Sequence, residues 1–262
     1  GGAEMSYTEL DRRSNRLARH LIRLGAAPEQ PVAVAVERSL QSVVAWWAVV
    51  KSGAAYVPVD PHYPTARIDQ MVTDSGATLG ITTLGARSGL PPGTIDWVVV
   101  DDPTDAARID AEDDAEVEQA ERIRPVRAAN TAWVVFTSGS TGGVPKGVAV
   151  SHAGGIADYL TSLFVDPASG PPTSRVLHFA SPSFDASLLE ILLSISSSSA
   201  LVVAPTDVRG GNELGDFMRD QRITHAFVTP AALASVDPPQ GLDDLREVMS
   251  GGDEVPTDLI SR

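Results

Sequence analysis

The run Val134-Val-Phe-Thr-Ser-Gly-Ser-Thr-Gly-Gly-Val-Pro-Lys-Gly-Val148 carries the densest chemistry in this sequence. An apolar, β-branched stretch leads straight into Thr137, Ser138, Gly139, Ser140, Thr141, Gly142 and Gly143, and Lys146 follows. Glycines let backbone N–H groups converge on an anion with no Cβ in the way, hydroxyls add short donors, and one ammonium supplies positive charge. A triphosphate asks for that set. Counting excludes two known patterns. Five residues beyond Gly139 stands Val144, where a Walker loop needs its second glycine before the lysine. Ser138 occupies the place of the first glycine in a G-x-S-x-G nucleophile elbow. A plain flexible linker would not follow a strand so closely with its hydroxyls in this order.

Other polar residues read more plainly. His178 sits in an expected strand and His225 begins one, where lone histidines serve as satisfied structural groups. His152 follows a strand and is expected to cap the next helix. Trp46-Trp47 suits helix packing at least as well as a binding face. Asp185 precedes the apolar helix Leu188–Leu193, and Ser187 with Glu190 matches a capping box, so from the residues alone Asp185 reads as a cap. No His, Asp and Glu group has metal-ligand spacing. No metal-binding residue is therefore assigned, and magnesium would arrive with a nucleotide.

Alternating elements must position these groups. A helix is expected from Thr8, as N-cap before Glu9 and Asp11, with Leu10, Leu17, Leu21 and Leu24 at helical spacing and Gly25 as its stop. Strands are expected at 31–36, 55–59, 79–82, 97–100, 133–136, 148–150, 176–179, 201–203, 226–228 and 247–249, with helices between most of them, including 39–51 and 65–74. Parallel strands need such crossovers, so the class is α/β with mainly parallel sheets flanked by helices. The serine-rich stretch Ser194–Ser199 reads as a loop closing the helix before it. Ten acidic residues crowd between Asp101 and Glu121. Like charges this dense repel and stay hydrated, so a solvated helix and linker is expected there. That stretch places a seam between one α/β subdomain over 1–125 and another over 126–262.

With 262 residues, 43% of them hydrophobic, the chain can bury a core, and global disorder is excluded. Zero cysteines exclude disulfides, thiol catalysis and thiolate metal sites. No apolar run reaches the ~18 residues of a membrane span and no secretion signal opens the chain, so a cytoplasmic enzyme without a membrane partner is expected. A net charge of −14, from 34 acidic against 20 basic residues, opposes nucleic acid at long range. A nucleotide must therefore be met by a local, preorganised pocket.

Thr137-Ser-Gly-Ser-Thr-Gly142 followed by Pro145-Lys-Gly147 resembles the signature of adenylate-forming enzymes, in particular the adenylation domains of nonribosomal peptide synthetases. Other motifs agree in order. Ser6-Tyr-Thr-Glu-Leu10 and Lys51-Ser-Gly-Ala-Ala-Tyr-Val-Pro-Val-Asp60 resemble the family's first two, Ser183-Phe-Asp-Ala-Ser187 the start of its substrate pocket, and Ser250-Gly-Gly-Asp-Glu254 the stretch against adenine. The resemblance spans nearly the whole chain. Two departures stand out. Gly143 and Val144 separate the loop from Pro145-Lys-Gly147, where the family has one residue. The family also continues beyond Arg262 with a Tyr-Gly-Pro-Thr-Glu-like motif, a ribose-binding aspartate and a small domain carrying the catalytic lysine. The expectation is thus the front half of a layered αβαβα-type enzyme, truncated, inactive alone and without a catalytic residue of its own.

The resemblance implies ATP-dependent activation of an amino acid as its aminoacyl adenylate. Loading onto the phosphopantetheine thiol of a carrier-protein domain would follow, among other synthetase domains making an antibiotic or other secondary metabolite. Thr137, Ser138, Gly139, Ser140, Thr141, Gly142 and Lys146 would hold the ATP phosphates, with Mg2+ brought by ATP. Gly252, Asp253 and Glu254 would lie against adenine. Asp185, Ala186, Leu189, Phe227, Met249 and Gly251 would line the substrate pocket. There Asp185 would bind the α-ammonium, Ala186 and Gly251 would leave room, and Leu189, Phe227 and Met249 would form an apolar wall. Such a wall disfavours an unpaired charged side chain and suits an apolar one. Two alternatives remain: a carboxylate–CoA ligase of the same superfamily, and a non-catalytic nucleotide-binding or assembly module.

Overall fold

The computed structural model describes residues 2–93, 95–137, 145–157, 174–236 and 241–257. They belong to two compact units, Gly1–Ala157 and Asp158–Arg262.

The first unit runs α1 (Tyr7–Arg23), β1 (Pro31–Ala35), α2 (Leu40–Ser52), β2 (Ala55–Pro58), α3 (Thr65–Ser75), β3 (Leu79–Thr82), α4 (Leu84–Arg87), β4 (Asp96–Val99), α5 (Pro103–Asp110), β5 (Thr131–Thr137) and β6 (Lys146–Ser151). Its sheet has the order β4-β3-β1-β2-β5-β6 and is parallel except for the β5–β6 pair. Val32 to Ala35 are all buried, as expected of a strand covered on both faces. Ala33, Ala35, Val57 and Val59 pack with Ile68 and Met71 of α3.

Helix α1 begins two residues earlier than its pattern suggested. Ser6 is extended and its hydroxyl accepts the Glu9 N–H at 3.1 Å, so Ser6 is the cap and Thr8 lies in the first turn. Trp46 of α2 is 2% exposed and meets Trp47 edge to face, 5.2 Å between ring centres, so this pair packs the helix.

The acidic segment is more than a linker. Arg19 makes a bidentate pair with Glu121, both contacts 2.7 Å, and donates to the carbonyls of Asp113, Ala115 and Glu116. Arg16 reaches Asp114 at 3.0 Å and Asn15 the Asp114 carbonyl at 2.9 Å. Hydrogen bonding by Arg19 holds the Glu121 carboxyl below its ordinary pKa. Residues 113–121 thus lie strapped along α1. The unit also continues past the seam expected at 125, because β5 joins β2, with Trp133 opposite Tyr56, and β6 joins β5. The division falls after Ala157.

The second unit runs β7 (Arg175–His178), α6 (Asp185–Ser196), β8 (Ala200–Val203), α7 (Gly211–Asp220), β9 (His225–Val228), α8 (Pro230–Ser235) and β10 (Glu247–Ser250). Its four strands are all parallel, in the order β10-β9-β7-β8. Leu177, Val202, Ala226 and Val228 face Leu214 and Met218 of α7 on one side. Helix α6 covers the other, packing on β7, β8 and β9 and burying Leu188, Ile191, Leu192 and Leu193. It continues through Ser196, and the hydroxyls of Ser196 and Ser197 both donate to the Leu193 carbonyl, so the serine run finishes the helix before it turns. No helix among the described residues is long and apolar enough to cross a membrane.

Candidate functional site

In the second unit the chain leaves β7 for β8 on one side, then crosses to β9 on the other side of β7. Adjacent strands whose connections diverge leave a crevice at their carboxyl ends, where open α/β sheets bind ligands. The expected pocket residues lie on the elements that flank these carboxyl ends. Asp185 and Ala186 open α6, on the loop that leaves β7, and Leu189 lies one turn further along. Phe227 lies on β9 with Met249 opposite it on β10, so the two share a face. Val176 stands opposite His225, which puts His178 and Phe227, two residues further on, on that same face, the one covered by α6.

Gly251, two residues beyond Met249, keeps this face as well. A Cβ built on it would lie 3.3 Å from Cζ and 3.4 Å from Cε2 of Phe227. The room that Gly251 was expected to leave is therefore taken by the Phe227 ring. Gly252 follows with φ +90°, in the left-handed region that favours glycine. Asp253 and Glu254 are exposed, and the Glu254 N–H binds the Asp253 carboxylate at 2.8 Å, which shapes the turn at this carboxyl edge.

Asp185 does not cap its helix. The N-cap residue is Phe184, with no side-chain cap bond, and Asp185 is the first helical residue. The expected Ser187–Glu190 box does not form either. The Ser187 hydroxyl donates to the carbonyls of Phe184 and Pro182, and Glu190 is fully buried against β7. Glu190 accepts from His178 Nδ1 at 2.7 Å and from the N–H groups of Phe179 at 3.1 Å and Ala180 at 3.0 Å. Asp185 itself is exposed and has no hydrogen-bond or ion-pair partner among the described residues. It is an exposed carboxylate in the first turn of α6, just beyond the loop that leaves β7.

His178 is paired with Glu190, and His225 Nδ1 lies 2.7 Å from the Thr224 hydroxyl while burial lowers its pKa. Burial likewise lowers the pKa of His152, but the turn after β6 is capped by Ser151, whose hydroxyl accepts the Gly154 N–H at 3.1 Å. The expected cap on His152 is thus supplied by its neighbour.

In the first unit Thr137 and Lys146 stand opposite each other at the connected end of the antiparallel β5–β6 pair. The expected phosphate loop is therefore the connection of a hairpin, anchored by its first hydroxyl and its lysine. Ser138, Gly139, Ser140, Thr141 and Gly142 lie outside the described residues. Lys146 is exposed.

The family model for the AMP-binding enzyme matches residues 1–262. The chain belongs to the AMP-binding enzyme family. Its resemblance to adenylation domains of nonribosomal peptide synthetases holds as well. Novobiocin biosynthesis protein H of Streptomyces niveus is 39% identical over 262 residues, covering 100% of this chain and 43% of that protein. Phosphinothricin tripeptide synthetase PhsC of Streptomyces viridochromogenes is 39% identical over 260 residues, covering 99% of this chain and 23% of that protein. The nonribosomal peptide synthetase FmoA3, solved with α-methyl-L-serine-AMP bound, matches at 25% identity and a TM-score of 0.83, over 99% of this chain and 28% of that one. The chain therefore spans less than half the length of the curated relatives it matches. The β5–β6 hairpin and the strand-and-helix edge that carries Asp185 are the two regions where the expected site residues fall. They lie in different units of the chain.

Proposed function

We propose that the complete protein activates an α-amino acid with an apolar side chain as its aminoacyl adenylate and passes the acyl group to a carrier-domain thiol. The observation that carries this reading is Asp185, exposed at the switch-point crevice with no partner among the described residues. A carboxylate there is a counter-ion for an α-ammonium group, and Leu189, Phe227 and Met249 offer no charge for a substrate side chain. FmoA3 has been solved with an aminoacyl-AMP and with AMPPNP, which supports the same pairing of ligands here.

The chemistry asks little of an acid or base. A substrate carboxylate, already ionised at pH 7, attacks the α-phosphorus, and the bond to the bridging oxygen breaks as pyrophosphate leaves with the electron pair. Rate then comes from positioning and from stabilising charge on the leaving group. Thr137, Ser138, Gly139, Ser140, Thr141, Gly142 and Lys146 supply that stabilisation. Gly252, Asp253 and Glu254 offer a turn for the adenine. Magnesium bound to the triphosphate neutralises part of its charge. In the second half-reaction the phosphopantetheine sulfur attacks the acyl carbonyl, AMP departs, and the thiol proton passes to solvent.

Amino-acid-dependent ATP–pyrophosphate exchange by the complete protein, across a panel of amino acids and their des-amino analogues, tests the reading. Apolar amino acids should be preferred, and Lys146→Ala should weaken ATP use roughly ten- to a hundredfold, the worth of one charge-assisted contact. Equal use of des-amino acids would favour the carboxylate–CoA ligase. ATP binding with no exchange would favour a non-catalytic module, and unchanged ATP kinetics in Lys146→Ala would remove that residue from the phosphate site.

A further inference from the structure

Helix α6 is apolar almost throughout, yet its middle carries Glu190 at 0% exposure, against His178 at 3%. A leucine at 190 would cover the sheet at lower cost, since buried ion pairs rarely outdo apolar packing. Stability does not explain the glutamate. Its geometry does. The carboxylate takes three donors: the His178 ring at 2.7 Å and the N–H groups of Phe179 and Ala180 at 3.1 and 3.0 Å. Those two amides are the first after β7, where the chain leaves the sheet to reach Asp185. A carboxylate only accepts, so the ring carries its proton on Nδ1.

We infer that Glu190 and His178 are a positioning pair that fixes the loop over 179–184, and with it the placement of Asp185 toward the substrate ammonium. The inference rests on the proposed adenylation of an amino acid. One glutamate ties the end of β7 to α6 five residues beyond Asp185, about 7.5 Å along the helix axis, so strand end and helix start are held as one body. His178 shares its sheet face with Phe227 on the neighbouring strand, so the same pair lies one strand from the pocket wall. Neither residue touches the reacting atoms. Their role is to hold the carboxylate that does.

The test uses the complete protein with three variants: His178→Leu, which removes the donor; His178→Gln, which keeps an N–H donor; and Asp185→Asn as reference. Exchange kinetics give separate KM values for amino acid and ATP, and hydrogen–deuterium exchange follows the loop over 179–184. His178→Leu should raise the amino-acid KM roughly tenfold, the worth of one charge-assisted bond, leave the ATP KM within about twofold, and speed exchange of the Phe179 and Ala180 amides. His178→Gln should restore both readouts most of the way. A lower melting temperature in His178→Leu with unchanged amino-acid KM would mean a merely structural pair and overturn the inference. If Asp185→Asn raises the amino-acid KM while His178→Leu does not, the positioning claim fails and the substrate reading stands. If Asp185→Asn leaves it unchanged, the ammonium reading fails and takes the inference with it. Should His178→Leu not fold, Glu190→Gln keeps the shape and one acceptor and is judged by the same measurements.

Discussion

The two sheets of this chain repeat one topology and use it differently. In each, a first strand leads through a helix to a neighbour on one side, and the chain then crosses to the other side: β1, α2, β2, then β3, and β7, α6, β8, then β9. Each therefore has a switch point at its carboxyl edge. At β1 and β3 the opening is closed. The Thr82 hydroxyl, fully buried, donates to the Ala35 carbonyl across the two strands at 2.9 Å. The start of α2 is closed too, because Ser39 and Ser42 each accept the other's backbone N–H. At β7 and β9 the start of α6 has no side-chain cap, Phe184 is 57% exposed, and Asp185 is exposed beside it. Topology supplies two switch points; among the described residues, side-chain bonds bridge the first and leave the helix start at the second uncapped.

The sharpest way to break that contrast is Asp185→Asn. Losing the counter-ion to an α-ammonium should raise the amino-acid KM roughly ten- to a hundredfold while ATP use holds. Fold stability should fall by less than ~1 kcal/mol, the scale of a first-turn carboxylate at a helix dipole, since Asp185 caps nothing. A large stability loss with no change in KM would make the second crevice as structural as the first.

A smaller effect is expected from Gly251→Ala. The new Cβ would lie 3.3 Å from Phe227 Cζ, so the ring must move, and the face it walls narrows by about a methyl group. The penalty should fall on larger apolar substrates, about fourfold in KM, as expected for one methylene at ~0.8 kcal/mol. An unchanged size preference would take Phe227 out of the pocket wall.

The sequence made the alternation of strands and helices legible, because parallel strands with apolar runs declare themselves locally. The strands on either side of the hydroxyl- and glycine-rich loop were legible as well, expected at 133–136 and 148–150 and found at Thr131–Thr137 and Lys146–Ser151. What failed was pairing over distance. Ser187 and Glu190 fit a capping box by spacing, but the partners of Glu190 lie ten to twelve residues back, on a strand end that only the folded crossover brings under the helix. The acidic stretch read as self-repelling because its guanidinium partners stand 94 to 102 residues earlier on α1. Spacing rules see one element at a time. Compensation of charge between elements is invisible to them, and both errors came from there. The strand at 148–150 was expected, but its antiparallel direction was not legible, since a rhythm of strand and helix carries no sign of direction.

The smallest expected effect is Ser39→Ala at the closed switch point. The Ser39 hydroxyl accepts the Ser42 N–H at 3.2 Å and donates to the Glu37 carbonyl at 2.9 Å. Alanine removes both bonds, while the Ser42 hydroxyl still accepts the Ser39 N–H at 3.1 Å. Half of the reciprocal cap survives, so the cost should be about 1 kcal/mol, which lowers Tm by ~2–4 °C in a domain of this size. Neither KM should move, because the opening behind α2 is still occupied by Thr82 and its bond to Ala35. Thermal melts and exchange kinetics on the same preparation check both halves of the statement. A shifted amino-acid KM with an unmoved Tm would place the first switch point in the substrate site, and the difference between the two crevices would then be one of degree.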